Sequence, residues 1–130
     1  MKNYIIMLVL FLSVLFIGCP SAKTVAEDVK YDISTPEGLY QEGQHYLKQK
    51  EYDFAQRSFT TLVEDFPEHE LADDAQFNVA EILSNPKNKN KDLDAALDEY
   101  QTLIDDYPDS PFISKAEKKI EQIEKQLEKE

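Results

Sequence analysis

Few residues of this chain combine the type and the spacing that catalysis would need. The two histidines, His45 and His69, have no cysteines or carboxylates around them at the spacing of a metal site or a catalytic triad. Ser58, Thr60 and Thr61 have no neighbouring base that would activate a nucleophile. The three glycines form no phosphate-binding loop. We therefore expect a protein that is not an enzyme and carries no cofactor, with histidines that are solvated or cap a turn.

One segment partly matches the template of a calcium-binding loop. Oxygen-bearing side chains fall at the five ligand positions of that template, namely Asn88, Asn90, Asp92, Asp94 and Glu99. However, the position that requires glycine is Leu93, and the first position is asparagine where the template has aspartate. The repeat described below also assigns residues 94–99 to a helix. The sequence therefore favours a polar loop followed by a helix, and we expect no metal.

The N-terminal residues have the pattern of an export signal. Lys2 precedes an apolar run from Tyr4 to Ile17, which is shorter than the roughly 20 residues of a membrane-spanning helix. Gly18 and Cys19, the only cysteine, follow. This arrangement resembles the bacterial lipoprotein signal, which implies cleavage after residues 1–18 and acylation of Cys19. An ordinary signal peptide or an uncleaved anchor is the alternative.

The net charge of the chain limits the kinds of molecule that we expect it to bind. Residues 1–18 contain one lysine and no acid, so the net charge is −12 for the whole chain and −13 without them. We expect no nucleic-acid partner, because phosphates need a basic surface. A basic protein would suit the overall charge, whereas membrane attachment would depend on lipid at Cys19. Residues 19–33 have no sustained period and are interpreted as a tether, followed by a domain at 34–130.

Residues 34–130 show helical periodicity and no strand-like alternation, which predicts an all-α fold. Residues 52–69 and 93–110 share one pattern at an offset of 41, and a period of this size is typical of stacked helical repeats. Five helices are predicted. Ser34 and Ser110 are expected to begin the first and the last of them, and Pro67 and Pro108 follow the second and the fourth.

The repeated residues resemble the tetratricopeptide repeat. In the first unit, the small, aromatic and proline positions of the repeat are Gly43, Tyr46, Ala55, Phe59 and Pro67. In the second unit, the corresponding residues are Ala80, Leu83, Ala96, Tyr100 and Pro108. The loop between the two helices is seven residues longer in the second unit than in the first. The resemblance implies a short helical solenoid of two helix pairs. The fifth helix has Glu121 and Glu124 at the family's small and aromatic positions, so it is expected to cap the solenoid. A coiled-coil surface is the alternative for its apolar seam.

The resemblance also implies a concave groove, lined by the first helix of each unit, that binds a protein or peptide partner. By repeat position its residues would be Tyr40, Gln44, Leu47, Phe77 and Glu81. The alternative is that Tyr40, Leu47 and Phe77 complete the core. These two interpretations are equally compatible with the sequence.

Residues 107–111 read YPDSP and form the junction before the fifth helix. This junction and the lipoprotein signal resemble those of BamD-like envelope lipoproteins of outer-membrane assembly. The repeats of the division coordinator CpoB are the second family that the junction resembles. The resemblance implies a non-catalytic, lipid-anchored scaffold at the periplasmic face of the outer membrane. Alternatives are a self-associating structural lipoprotein, hence a homo-oligomer, and a cell-division or peptidoglycan coordination factor.

Overall fold

The structure is a computed structural model that describes residues 30–129. The predicted signal peptide, Cys19 and most of the predicted tether lie outside the described residues. Within them the fold is all-α, as predicted, with five helices: α1 (Pro36–Gln49), α2 (Tyr52–Asp65), α3 (Ala72–Ser84), α4 (Leu93–Asp106) and α5 (Ile113–Leu127). None of these helices is long and apolar enough to cross a membrane.

Each helix packs against the next helix along the chain, from α1 to α5. This succession of neighbour contacts is the architecture of a helical solenoid. The loop between α1 and α2 has two residues, 50–51, and the loop between α3 and α4 has eight, 85–92. The insertion in the second unit is therefore present, although by these helix bounds it adds six residues instead of the predicted seven.

The duplicated pattern forms the core. Phe59 and Tyr100, which match at the offset of 41, are both fully buried, as are the alanines and leucines at matching positions, Ala55, Leu62, Ala96 and Leu103. Burying each large side chain contributes about 1.5–3 kcal/mol. The second helix of each unit therefore supplies equivalent core residues to its own helix pair.

Gly43 is buried in α1 and faces the Phe59 ring of α2. A Cβ atom at residue 43 would lie 2.8 Å from two carbon atoms of that ring. Gly43 therefore lets α2 pack closely against α1. The absence of a side chain at this one position brings α1 and α2 together.

Two predicted helix starts need correction. Thr35, not Ser34, is the N-cap of α1, and its hydroxyl accepts a hydrogen bond from the Gly38 amide. Pro36 occupies the first helical position, which makes the preceding residue the cap. Helix α5 begins at Ile113, because residues 111–112 form a turn first.

Helix α5 packs against α4 and buries Ala116 and Ile123, while Ile120 and Leu127 are partly covered. Glu121 and Glu124 are exposed. This arrangement agrees with the capping interpretation and uses the apolar seam within the chain, so the seam is not free for a coiled-coil partner.

We expect Gly43→Ala to lower the free energy of unfolding by about 1–2 kcal/mol, because overpacking against a fully buried ring costs about 1–3 kcal/mol. Helix propensity alone predicts the opposite sign, a gain of about 1 kcal/mol. Urea unfolding followed by circular dichroism measures the difference. The exposed residue Gln41 gives a matched control, because Gln41→Ala should change stability by less than about 0.5 kcal/mol. A more stable Gly43→Ala protein would contradict the close packing.

Candidate protein-binding groove

The predicted groove residues line two neighbouring depressions. Leu47, Phe77 and Glu81 border a depression of about 540 Å³, which also reaches α5. Tyr40 and Gln44 border a smaller one of about 260 Å³. The two depressions adjoin at Lys48, which borders both of them, and the partner-binding role of the five residues stays a prediction.

Tyr40 joins the first helix of one unit to the first helix of the next. Its hydroxyl donates a hydrogen bond of 2.8 Å to the Asp74 carboxylate and accepts one of 3.2 Å from the Gln44 amide. Its ring meets the Phe59 ring edge-on, with centroids 5.6 Å apart. Burial first, and then the hydrogen bond to Asp74, raise the pKa of Tyr40 to about 12. Tyr40 is thus partly a core residue and partly a groove residue.

Phe77 is predominantly a core residue, since only 6% of it is exposed. Its ring stacks on the Phe112 ring with centroids 4.9 Å apart and a 17° angle between planes. It also packs against Tyr100. The core alternative therefore describes Phe77 better than the partner-binding one, although one side of the ring forms part of the depression floor.

Glu81 is held by two groups of its own chain. Its carboxylate accepts a hydrogen bond from the Tyr100 hydroxyl, and the Lys119 ammonium lies 2.7 Å away. Burial and this hydrogen bond raise the pKa of the Tyr100 phenol above its ordinary value. Glu81 therefore connects α3 to α4 and α5, and its charge is already compensated.

Sequence reasoning missed the lysines around the larger depression. Lys48 and Lys50 come from the end of α1, Lys87 from the long loop and Lys115 from α5. Lys48 and Lys50 are separated only by Gln49, but they are far along the chain from Lys87 and Lys115, so that no local pattern indicates the convergence of all four.

Residues 74–110 match the family model described as Tetratricopeptide repeat. This segment is similar to a tetratricopeptide repeat. The matched range covers nearly all of α3, the long loop and α4 with its proline stop. No curated protein matches the chain.

This match supports the repeat assignment but not membership of the BamD-like or CpoB-like groups. Tetratricopeptide repeats generally mediate binding to proteins or peptides and typically act as non-catalytic scaffolds. In the repeat, α3 is the first helix and α4 the second, so Phe77 and Glu81 lie on the helix that usually borders the groove.

Both histidines contact neighbouring residues of their own chain. The His45 ring nitrogen lies 2.7 Å from the Gln49 amide nitrogen one helical turn away. His69 accepts a hydrogen bond from the Leu71 amide in the turn before α3, and its other ring nitrogen is 3.4 Å from the Glu37 carboxylate. The prediction of capping or surface roles agrees with these contacts.

The calcium-loop template corresponds to a different structure. Asn88 is buried, donates to the Ile82 carbonyl and accepts from the Asn90 amide. Asn90 in turn donates to both carboxylate oxygens of Asp53 in α2. Asp92 is the N-cap of α4. Within residues 30–129, no group of three or more potential metal-ligating side chains comes together.

Asn88→Ala should lower the free energy of unfolding by about 1 kcal/mol, because it removes the buried hydrogen bond to the Ile82 carbonyl, which keeps only the 3.3 Å bond from the Asn85 amide, and leaves the Asn90 amide without its acceptor. Lys89→Ala, in the same loop but exposed, should change it by less than about 0.5 kcal/mol.

Calcium chloride should leave the melting temperature of the wild-type protein unchanged. A rise in melting temperature with calcium concentration would instead indicate a site, since a ligand stabilises the state that it binds.

The Tyr40 phenol should contribute to stability below pH 10 and lose that contribution between pH 10 and about 12. The sign follows because its pKa is raised in the folded protein from the ordinary 10.0 to about 12. Stability measured from pH 9 upward should therefore fall less steeply in Tyr40→Phe than in the wild type. Equal slopes would show that the pKa of Tyr40 is not raised in the folded protein.

Proposed function

We propose that this protein is a non-catalytic scaffold that binds a protein partner through its helical repeats and is held in the bacterial cell envelope by lipid on Cys19. The tetratricopeptide repeat supports the binding role, because this repeat generally mediates contacts between proteins. The exposed side chains of the larger depression support it further. They come from α1, the long loop and α5, so that both repeat units and the cap border one surface.

The envelope location is proposed from the sequence. Lys2, the apolar run and Gly18-Cys19 have the order of a lipoprotein signal. A single cysteine can form no disulfide within its own chain, so an exported protein that has one needs another role for it. The acidic chain has no basic stretch that would hold it on anionic lipid, and an acyl chain supplies attachment by burial in the bilayer.

Outer-membrane protein assembly is the process that we propose for the scaffold, at the periplasmic face of that membrane. Its support is the resemblance of the YPDSP junction and the signal to BamD-like lipoproteins. A role in division or peptidoglycan coordination has the weaker resemblance to CpoB repeats. Self-association is the structural alternative.

Cys19→Ser should abolish incorporation of a labelled fatty acid and release the protein from the membrane fraction. In-cell crosslinking of the wild-type protein, with mass identification of the adduct, should then yield a defined envelope protein. Ser21→Ala, two residues from the proposed acylation position, is the matched control and should keep the label. Continued labelling of Cys19→Ser would refute the anchor, and a crosslink only to a second copy of the chain would favour self-association.

A further inference from the structure

The larger depression, hereafter the basic depression, is positively charged although the protein as a whole is acidic. Four lysines border it, Lys48, Lys50, Lys87 and Lys115, against a single acid, Glu81. The whole chain has a net charge of −12. A concave surface of one sign within a surface of the other sign concentrates the field in the concavity. The net charge of the chain therefore does not describe the ligand that this surface would attract.

The four lysines are available to a partner. All four are exposed, and the ion pairs within residues 30–129 involve other cations, namely His69, Lys119 and Lys125. Glu81 does not neutralise them, because Lys119 and the Tyr100 hydroxyl already hold its carboxylate. The basic depression thus has four lysines that can pair with a ligand and one carboxylate, Glu81, that already contacts Lys119 and Tyr100.

The floor of the basic depression is apolar. Leu47 and Tyr52 are half-buried there, beside the edge of Phe77. The Lys115 ammonium lies 5.1 Å from the centroid of the Phe77 ring, which fixes a cation above an aromatic face. A ligand that combines carboxylates with one apolar or aromatic side chain would complement both the rim and the floor.

The basic depression is also elongated. It shares Lys50, Tyr52 and Lys87 with an adjoining depression of about 420 Å³, which is bordered further by Lys89 and Phe54 and by two acids, Glu51 and Asp53, the second of which accepts hydrogen bonds from Asn90. Phe54 is one of the two large apolar side chains that are clearly exposed in the described part of the chain, at 46%. A path that passes from Lys115 to Phe54 suits an extended segment better than a compact small molecule.

We propose that the basic depression binds an extended acidic peptide segment of a partner protein, with an apolar or aromatic side chain against Leu47 and Tyr52. The proposal rests on the scaffold function proposed above and adds the chemistry of the partner. Nucleic acid fits less well, because its phosphates continue at every nucleotide onto the acidic surface beyond the depression, whereas a peptide can carry its acids only over the length of the depression.

The test compares dye-labelled synthetic peptides by fluorescence anisotropy with the full chain in non-ionic detergent. One peptide has aspartates and glutamates around a central phenylalanine, and a second has the corresponding amides. A third keeps the acids and has alanine for phenylalanine. We expect the first to bind most tightly, and its affinity to fall as salt rises from low to physiological concentration.

Charge-reversal variants test whether the peptide binds at the basic depression. Lys87→Glu with Lys115→Glu should weaken the acidic peptide about tenfold, since each exposed ion pair is worth up to a few-fold. Lys91→Glu with Lys118→Glu changes the net charge equally, in the same loop and the same helix, at exposed lysines that do not line the depression. This control pair should bind nearly as well as the wild type, and circular dichroism should show equal helix content in all three proteins.

Equal binding of the acidic and amide peptides would overturn the proposal, as would equal loss in the two double variants. Tighter binding of a labelled oligothymidine would identify nucleic acid instead. A dimer in sedimentation equilibrium that dissociates in the Lys87→Glu, Lys115→Glu variant would identify a second copy of the chain. If in-cell crosslinking to a partner is unchanged in that variant, the scaffold function stands and only the assigned surface fails.

Discussion

The contact between Gly43 and the Phe59 ring determines how the first helix pair can form. Without a Cβ at residue 43, α1 approaches α2 closely enough to cover a ring that is fully buried. The edge of Tyr40 then packs on that same ring and reaches Asp74 of the next unit. The position of α3, and with it the floor of the basic depression, therefore depends on a helix spacing set by one glycine.

The core could be predicted because it depends on local spacing. Phe59 and Tyr100 occupy matching positions in two copies of one pattern, and a pattern that recurs at a fixed offset indicates equivalent packing without knowledge of distant contacts. Gly43 was recognisable for the same reason, since a glycine inside an otherwise regular helix usually has a packing cause. Helix ends were less predictable, as Thr35 shows, because two adjacent residues can both accept from the first turn.

The surface could not be predicted to the same extent. The four lysines of the basic depression come from two helices and two loops, and their convergence depends on the angles between the helices. Phe77 has the aromatic character of a binding residue, but Phe112, which lies between α4 and α5, covers it. The oxygen-rich run from Asn88 to Glu99 has ligand spacing as a sequence, whereas α4 begins within it and turns its later residues onto different sides of a helix.

The long loop has a consequence for how the domain comes apart. In a solenoid, repeats are joined mainly by the faces of adjacent helices and can open one at a time. Here the loop of the second unit reaches back across that boundary, where Asn90 holds Asp53 at the start of α2 while Asn88 secures the loop to the end of α3. Separation of the two helix pairs must break this contact as well as the apolar contact, so the loop adds to the free energy of opening between the two repeats.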